Sequence, residues 1–367
     1  MALDVGIDTS MANKLANANL RWALMGSTGV TGRLVLDEAL RRGHRPALVG
    51  RDRRKLRQLA DPHDLETFAF DLTDTVPLTH FLDGRPVLNA AGPYALTAGP
   101  MIEAALRGGT DLIDLSGELD VVASTLKRNT LAQQSGSVLI TGAGFGVAAS
   151  DGLALQIIER LGGAEWMRVS VSAQSAYSSP AVGESVIGVL AGGGFEVVAG
   201  QLVPRPIGSR RWSEVASNGG RLSFGSAPLA ELAALSHVAD VPHIVAGVPM
   251  PAAQAMAMGL LSPALKLILK WPSARRVFSK TGGHSASGGS QKEFISEVWI
   301  EARHGTKRAT GHLVGGEGYA LAASIAVSTV EALAARRPKP GAYTPGSAFG
   351  AHFIDAVGRI QIEISQQ

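Results

Sequence analysis

The chain has no cysteine, which removes disulfides, thiolate metal sites, iron–sulfur clusters and cysteine nucleophiles together. An acyl-thioester dehydrogenase mechanism is excluded with them. Aromatic residues are only 5% of the 367, so the core must be built from Ala, Leu, Val and Ile. Charged residues are 18% against 46% hydrophobic, a balance that excludes a disordered chain. The net charge of +3 is no nucleic-acid signature. The nine histidines contain neither an H-x-x-x-H pair nor H-E-x-x-H, so no metal is expected. His243 and His284 read as ordinary surface or core histidines. The segment from Met1 to Asn19 contains Asp4 and Asp8 and no apolar run after a basic start. It reads as a frayed tail rather than a secretory signal. The longest uncharged stretch, Val241–Leu265, carries Pro242, Pro249, Pro251 and Pro263, which argues against a membrane span. A cytoplasmic location is expected, with peripheral membrane contact as the variant.

Glycine is plentiful, at 44 residues. Short apolar runs alternate with helical stripes from Trp22 to Thr141: strands at Arg21–Met25, Pro46–Gly50, Thr67–Asp71, Pro86–Ala91, Asp111–Leu115 and Val138–Thr141. Helices are expected at Thr31–Arg42, Arg53–Ala60, Met101–Arg107 and Val121–Gln134. This alternation means βαβ units and a parallel sheet. Gly142–Gly146 then reads as a flexible joint, followed by a helix over Ser150–Leu161. Beyond it Met167–Ala173 alternates as in an antiparallel sheet. Phe294–Ile300 and Arg308–Val314 flank the turn signal His304-Gly305-Thr306. A long helix, Ala320–Arg336, stops before Pro338. The fold class is thus α/β: a Rossmann-type parallel sheet and a second mixed α/β domain containing an antiparallel sheet. The expected divisions are a tail at 1–19, a dinucleotide-binding domain at 20–150, a substrate domain at 151–315, and a C-terminal helix and tail at 316–367 that pack back on the rest.

Gly26-Ser27-Thr28-Gly29-Val30-Thr31-Gly32 stands between an expected strand and an expected helix. Glycines there permit the tight turn, let backbone approach a pyrophosphate, and allow close strand–helix packing. The helix N-terminus offers free N–H groups to the phosphates. At the end of the second strand an NAD site wants an acid; this chain has Arg51, then Asp52, Arg53, Arg54 and Lys55. From Arg33 to Arg57 there are nine Lys/Arg and three Asp/Glu, without interleaved aromatics. That favours a 2′-phosphate and NADPH/NADP over a nucleic acid. Further cofactor contacts are expected from Asp71, from Ala90, Ala91, Gly92, Pro93 and Tyr94, and from Ser116 and Gly117. Tyr94 is a candidate proton donor or a packing ring. Glu118 is a candidate acid or base, or a helix N-terminal charge on the turn of Asp120. Tyr177 is the third catalytic candidate. No tyrosine is followed four residues later by lysine, so the pair used by short-chain dehydrogenases is absent.

The runs GSTGVTGRLV, LVGRDRRKL, VLNAAGPY, DLIDLSGE and ITGAGFGVAASD, in this order, resemble the saccharopine dehydrogenase-like reductases over about Leu20–Asp151. The C-terminal runs GEGYALAAS and PGAYTPGSAFG resemble one subgroup, the trans-acting enoyl reductases of lipid and secondary metabolism. The resemblance implies an NADP-dependent oxidoreductase. The leading expectation is hydride transfer to an electron-poor C=C of a fairly apolar, lipid-like or natural-product substrate. The alternatives are reduction of a C=N, as in saccharopine formation, and a non-catalytic NADP-binding regulator.

An amino-acid substrate would need paired arginines in the second domain. Arg205, Arg210 and Arg211 are present and read as a surface loop beside Pro204 and Pro206. Ala252–Val277 contains Met256, Met258, Leu260 and Leu261, with Lys266, Lys270, Arg275 and Arg276 near one end. It reads either as a core helix or as the flexible wall of an apolar channel, and Pro263 and Pro272 are expected to break it. The expected partner is a small-molecule substrate, lipophilic or carrier-bound. A membrane surface and a homodimer are both compatible with the sequence, and no nucleic acid is expected.

Overall fold

A computed structural model describes residues 20–72, 84–175, 192–268, 294–358 and 360–366. The Met1–Asn19 tail, Tyr177, Lys270, Pro272, Arg275, Arg276 and His284 lie outside these. The first layer forms around seven short parallel strands. In chain order it comprises β1 (Ala23–Met25), α1 (Val30–Arg41), β2 (Ala47–Gly50), α2 (Arg53–Ala60), β3 (Thr67–Ala69), β4 (Val87–Asn89), α3 (Tyr94–Gly108), β5 (Leu112–Asp114), α4 (Leu119–Leu126), α5 (Asn129–Ser135) and β6 (Val138–Ile140). Strands β1, β2, β4, β5 and β6 are buried along their whole length, which explains their continuous apolar runs.

Four expectations are corrected in this half. Helix α3 starts at Tyr94, not Met101, and carries Pro100 within it. The Glu118 carboxylate accepts from the Tyr94 and Ala95 amides and so supplies the cap that starts the helix early. The expected Val121–Gln134 helix is two helices, broken at Lys127–Arg128. Gly142–Gly146 is a packed turn rather than a flexible joint. Gly142 sits at φ +73°, and an added Cβ would meet Val147 at 2.5 Å. The following helix α6 (Phe145–Leu161) begins inside that stretch.

The second half contains β7 (Trp166–Ser172), β8 (Gly194–Val198), β9 (Gln201–Arg205), β10 (Arg211–Val215), β11 (Arg221–Ser226), α7 (Glu231–Ala239), β12 (His243–Pro249), α8 (Ala252–Ile268), β13 (Ser296–His304) and β14 (Lys307–Gly315). Together with the terminal β16 (Gln361–Gln366) they form a nine-stranded sheet ordered β10-β11-β12-β7-β13-β14-β16, with β8 and β9 attached at β12. The β13–β14 hairpin turns at Gly305, φ +57°, as its sequence predicts. β7 is not purely antiparallel, because it pairs parallel with β12 and antiparallel with β13. Alternation gives the sheet two faces. Met167, Val169 and Val171 join Leu153 and Ile157 of α6 in the largest core, while Trp166, Arg168 and Ser170 point the other way. Helix α8 continues through Pro263, against the expected break. It is no plain core helix: Ala255 is buried, but Met256 and Leu260 are 55% and 78% exposed.

The C-terminal residues return to the first sheet. β15 (Gly341–Tyr343) adds to β6 as a parallel edge strand, giving the order β15-β6-β5-β4-β1-β2-β3. Helix α9 (Gly318–Ala335) lies on α1. There the wholly buried His44 contacts Glu331 at 3.0 Å through Nε2, and Arg42 contacts the other Glu331 oxygen at 2.8 Å. Arg42 also donates to the Ser324 hydroxyl at 2.7 Å. Removing Glu331 would take this acceptor from the buried His44 imidazole and one of several from Arg42, which keeps Glu38 and the Ser324 and Ser328 hydroxyls. Glu331→Ala is therefore expected to lower the unfolding free energy by roughly 1.5–3 kcal/mol, the range for hydrogen bonds to charged groups. Urea titration checks this, and an unchanged midpoint would show that the Glu331 contacts do not hold α9 in place.

Candidate functional site

The glycine loop closes against the end of β1. Gly26 adopts φ +82°, and its amide bonds the Val49 carbonyl at 3.0 Å. A Cβ on Gly32 would lie 2.1 Å from the Gly26 carbonyl oxygen, and one on Gly26 would lie 2.8 Å from Ala91. These two positions admit no side chain. Gly29 differs, since a Cβ there would meet only the Gly26 oxygen, at 3.4 Å. Gly29 is the N-cap of α1 without a side-chain cap, and the first turn holds no acid. The exposed side of Gly29 and the amides beyond it thus make a cradle that a pyrophosphate fits. Ser27 is wholly buried beneath this turn, and its hydroxyl finds no partner. Thr28, Val30 and Thr31 line the rest of the turn and are partly exposed.

Beside it, β2 ends in Gly50 and Arg51. Asp52, the nearest acid, is the N-cap of α2: its Oδ1 accepts from the Arg54 and Lys55 amides at 3.0 and 3.1 Å. Those contacts hold its carboxyl below the usual range, the Lys55 amide first. Arg51 is exposed and makes no ion pair among the described residues. Asp71 is exposed beyond the end of β3.

On the other side, β4 and β5 end in a register pair, Asn89 and Asp114. Both are buried. The Asn89 amide donates to Asp114 Oδ2 at 3.0 Å, and Asn89 Oδ1 accepts from the Ala91 amide at 3.1 Å. Asp114 Oδ1 accepts from the Ser116 amide at 2.7 Å, and the Ser116 hydroxyl accepts from the Glu118 amide at 3.1 Å. One buried pair therefore fixes both loops expected to meet a nicotinamide, Ala90–Pro93 and Ser116–Gly117. Sequence reasoning missed this pair. The available signal was a polar residue closing each of two otherwise apolar strands. Burial pushes the Asp114 carboxyl up to about 7, against the pull of Ser116 and Asn89.

The structure brings Tyr94 and Glu118 together and leaves neither as a ready proton donor. The Tyr94 ring packs between two cores. Burial, with Asp114 and Glu118 nearby, raises its hydroxyl well above the ordinary value, which makes it a weaker acid. Glu118 stands at the N-cap of α4, as its sequence position suggests, while its carboxylate caps the neighbouring α3; its oxygens stand 3.2 and 2.9 Å from the Tyr94 and Ala95 amides. Both border a cavity of about 450 Å³ lined mainly by apolar and small residues, among them Pro93, Ala98, Leu119, Val121 and Phe195. Its described charged residues are Glu118 and Asp120, with no arginine or lysine. Met256 and Met258 of α8 do not line it.

Two outcomes are expected. Gly29→Ala should change the unfolding free energy by no more than about 0.5 kcal/mol, whereas Gly32→Ala should cost at least about 2 kcal/mol through forced backbone movement. Equal costs in parallel urea titrations would contradict the cradle. The second concerns pH. A carboxyl raised on folding keeps its proton in the folded state when the unfolded chain has lost it. Its stabilisation is present at low pH and is lost as pH rises from about 4 to about 7. The stability of wild type relative to Asp114→Asn should fall across that window, and a flat difference would contradict it.

No protein-family model matches the chain. A saccharopine dehydrogenase-like oxidoreductase of Arabidopsis thaliana is 26% identical over 140 residues, covering 33% of this chain and 31% of that protein. Its counterpart in Bos taurus is 28% identical over 149 residues, covering 35% of each. The chain thus matches about a third of the length of these relatives. Among solved structures, apo saccharopine dehydrogenase (L-Glu forming) from Saccharomyces cerevisiae superposes with TM-score 0.61 at 12% identity, covering 95% of this chain and all of that one. Over about a third of its length the sequence is similar to saccharopine dehydrogenase-like oxidoreductases, and its architecture is the saccharopine dehydrogenase fold.

Proposed function

We propose that the chain is an NADPH-dependent reductase that delivers hydride to an electron-poor C=C of a fairly apolar substrate. The observation that carries the cofactor preference is the division of labour between two neighbours. Asp52 is engaged by the first turn of α2, while Arg51 at the end of β2 is unpaired among the described residues. An acid that holds ribose hydroxyls is thus missing, and a guanidinium suited to a 2′-phosphate stands in its place.

Bound in this crevice, NADPH would supply the hydride to one carbon of the double bond, and solvent would supply the proton that completes the C–H bond at the other. The chain's own part is to cradle phosphates on the α1 amides, to hold the ring between the Ala90–Pro93 and Ser116–Gly117 loops, and to keep water from the reacting carbon. The adjoining cavity supports the substrate class. Its described lining is apolar apart from Glu118 and Asp120. Among the described lining residues, a substrate bearing amino-acid carboxylates would meet two like charges and no arginine or lysine. This favours the conjugated C=C over the imine. A cavity of about 450 Å³ at the crevice also favours catalysis over a purely regulatory nucleotide site.

Calorimetric titration with both cofactors tests the proposal. Wild type is expected to bind NADPH at least about tenfold more tightly than NADH. Arg51→Ala should weaken NADPH by about 10–100-fold, the counterpart of roughly 1.5–3 kcal/mol for a charge-assisted contact, and leave NADH unchanged. Equal affinity of wild type for the two cofactors would overturn the NADPH assignment. Turnover of an amino-acid-derived imine but of no apolar enone would overturn the C=C assignment.

A further inference from the structure

The face of the second sheet turned away from α6 holds a second cavity, of about 440 Å³. Arg168, Arg205, Arg210 and Arg211 line it, with Glu196 as the one carboxylate in the lining. All three of Arg205, Arg210 and Arg211 are exposed, as the sequence reading of a surface loop expects, and Arg210 lies in the loop between β9 and β10; the reading is corrected for the other two. Arg205 ends β9, Arg211 begins β10, and Arg210 is held by its amide to the Ser226 hydroxyl at 3.1 Å. Glu196 is buried and anchors the wall, 3.2 Å from Arg210 Nε and 3.9 Å from Arg205 Nε. Trp166 and Trp212 supply flat apolar walls. Arg168 lies over both rings, 6.0 and 5.7 Å from their centroids.

Structural pairing does not use up this charge. Arg168 bonds Glu301 at 2.8 Å and approaches Glu214 at 3.4 Å, yet its Nε is shielded from solvent with no acceptor. Arg211 makes no ion pair among the described residues. The four guanidinium groups meet three carboxylates, Glu196, Glu214 and Glu301, so pairing leaves positive charge in excess at this face, and mutual repulsion there opposes folding. An oxyanion relieves that repulsion, and planar forks suit both carboxylate and phosphate.

We infer that this cavity is a binding site for a small planar oxyanion, an aromatic or conjugated molecule bearing phosphate or carboxylate, separate from the dinucleotide crevice. The site stands whether or not the crevice prefers NADPH. It is joined to the apolar cavity by β8, which presents Phe195 to that cavity and Glu196 to this one.

Phenyl phosphate and isophthalate are the probes, titrated into the full chain and followed by tryptophan fluorescence and calorimetry. At least one should bind saturably, and the tighter of the two identifies the anion. Arg211→Glu should weaken that binding by at least about tenfold, the worth of one charge-assisted contact. Arg51→Ala should leave it unchanged, which separates this site from the crevice. Arg211→Gln, which keeps size and polarity, should weaken it less than Arg211→Glu does. Failure of both probes to bind wild type, or binding that Arg211→Glu leaves intact, would overturn the inference. So would loss of binding in Arg51→Ala with none in Arg211→Glu.

Discussion

The candidate crevice depends on one close approach. Helix α1 starts so near the end of β1 that a single methyl at Gly32 would fall 2.1 Å from the Gly26 carbonyl oxygen. Because no side chain intervenes, the helix axis points into the turn, and its first amides remain uncapped. The same turn lies against Ala90 and Ala91, so it also sets the position of the loop after β4. The proposed phosphate cradle and the loop proposed to meet the ring are therefore positioned by one piece of backbone.

A second constraint is buried and polar. Asn89 and Asp114 face each other across β4 and β5, and between them they fix the loops after both strands. Glu118 extends the arrangement by capping α3, so the groups that first look catalytic serve to shape the crevice. What the arrangement leaves open beside it is an apolar cavity. Arg205 and Arg210 gather instead around the buried Glu196 on the far face of the second sheet. The same alternation that buries Val169 against α6 turns Arg168 outward to that face.

Much of the first layer was legible because short buried strands and glycine spacing are local signals. The six strands from β1 to β6, the loop from Gly26 to Gly32, and the β13–β14 hairpin follow from runs of a few residues. The failures share one cause, which is a partner far away in sequence. Helix α3 begins at Tyr94 because Glu118 caps it, and no pattern around Met101 contains that information. Gly142 looks like a joint until Val147 is packed against it. β7 looks antiparallel because alternation cannot reveal that β12 runs beside it in the same direction. Arg205 and Arg211 look like loop residues because the buried Glu196 and the distant Arg168 come to them only in the folded sheet. The resemblance to saccharopine dehydrogenase-like proteins covers the same glycine loop and strand ends that spacing alone singles out. It says nothing of the acid–base group, for which neither Tyr94 nor Glu118 is well disposed.

The central claim is that this crevice holds an NADP-type dinucleotide with its reactive ring toward the apolar cavity. A crystal structure of the chain grown with NADPH tests it most directly. The account predicts the pyrophosphate on the amides that follow Gly29, the 2′-phosphate on Arg51, and the nicotinamide between the Ala90–Pro93 and Ser116–Gly117 loops. A dinucleotide bound elsewhere, or one whose adenosine ribose avoids Arg51 while its nicotinamide faces away from the cavity beside Tyr94, would contradict it.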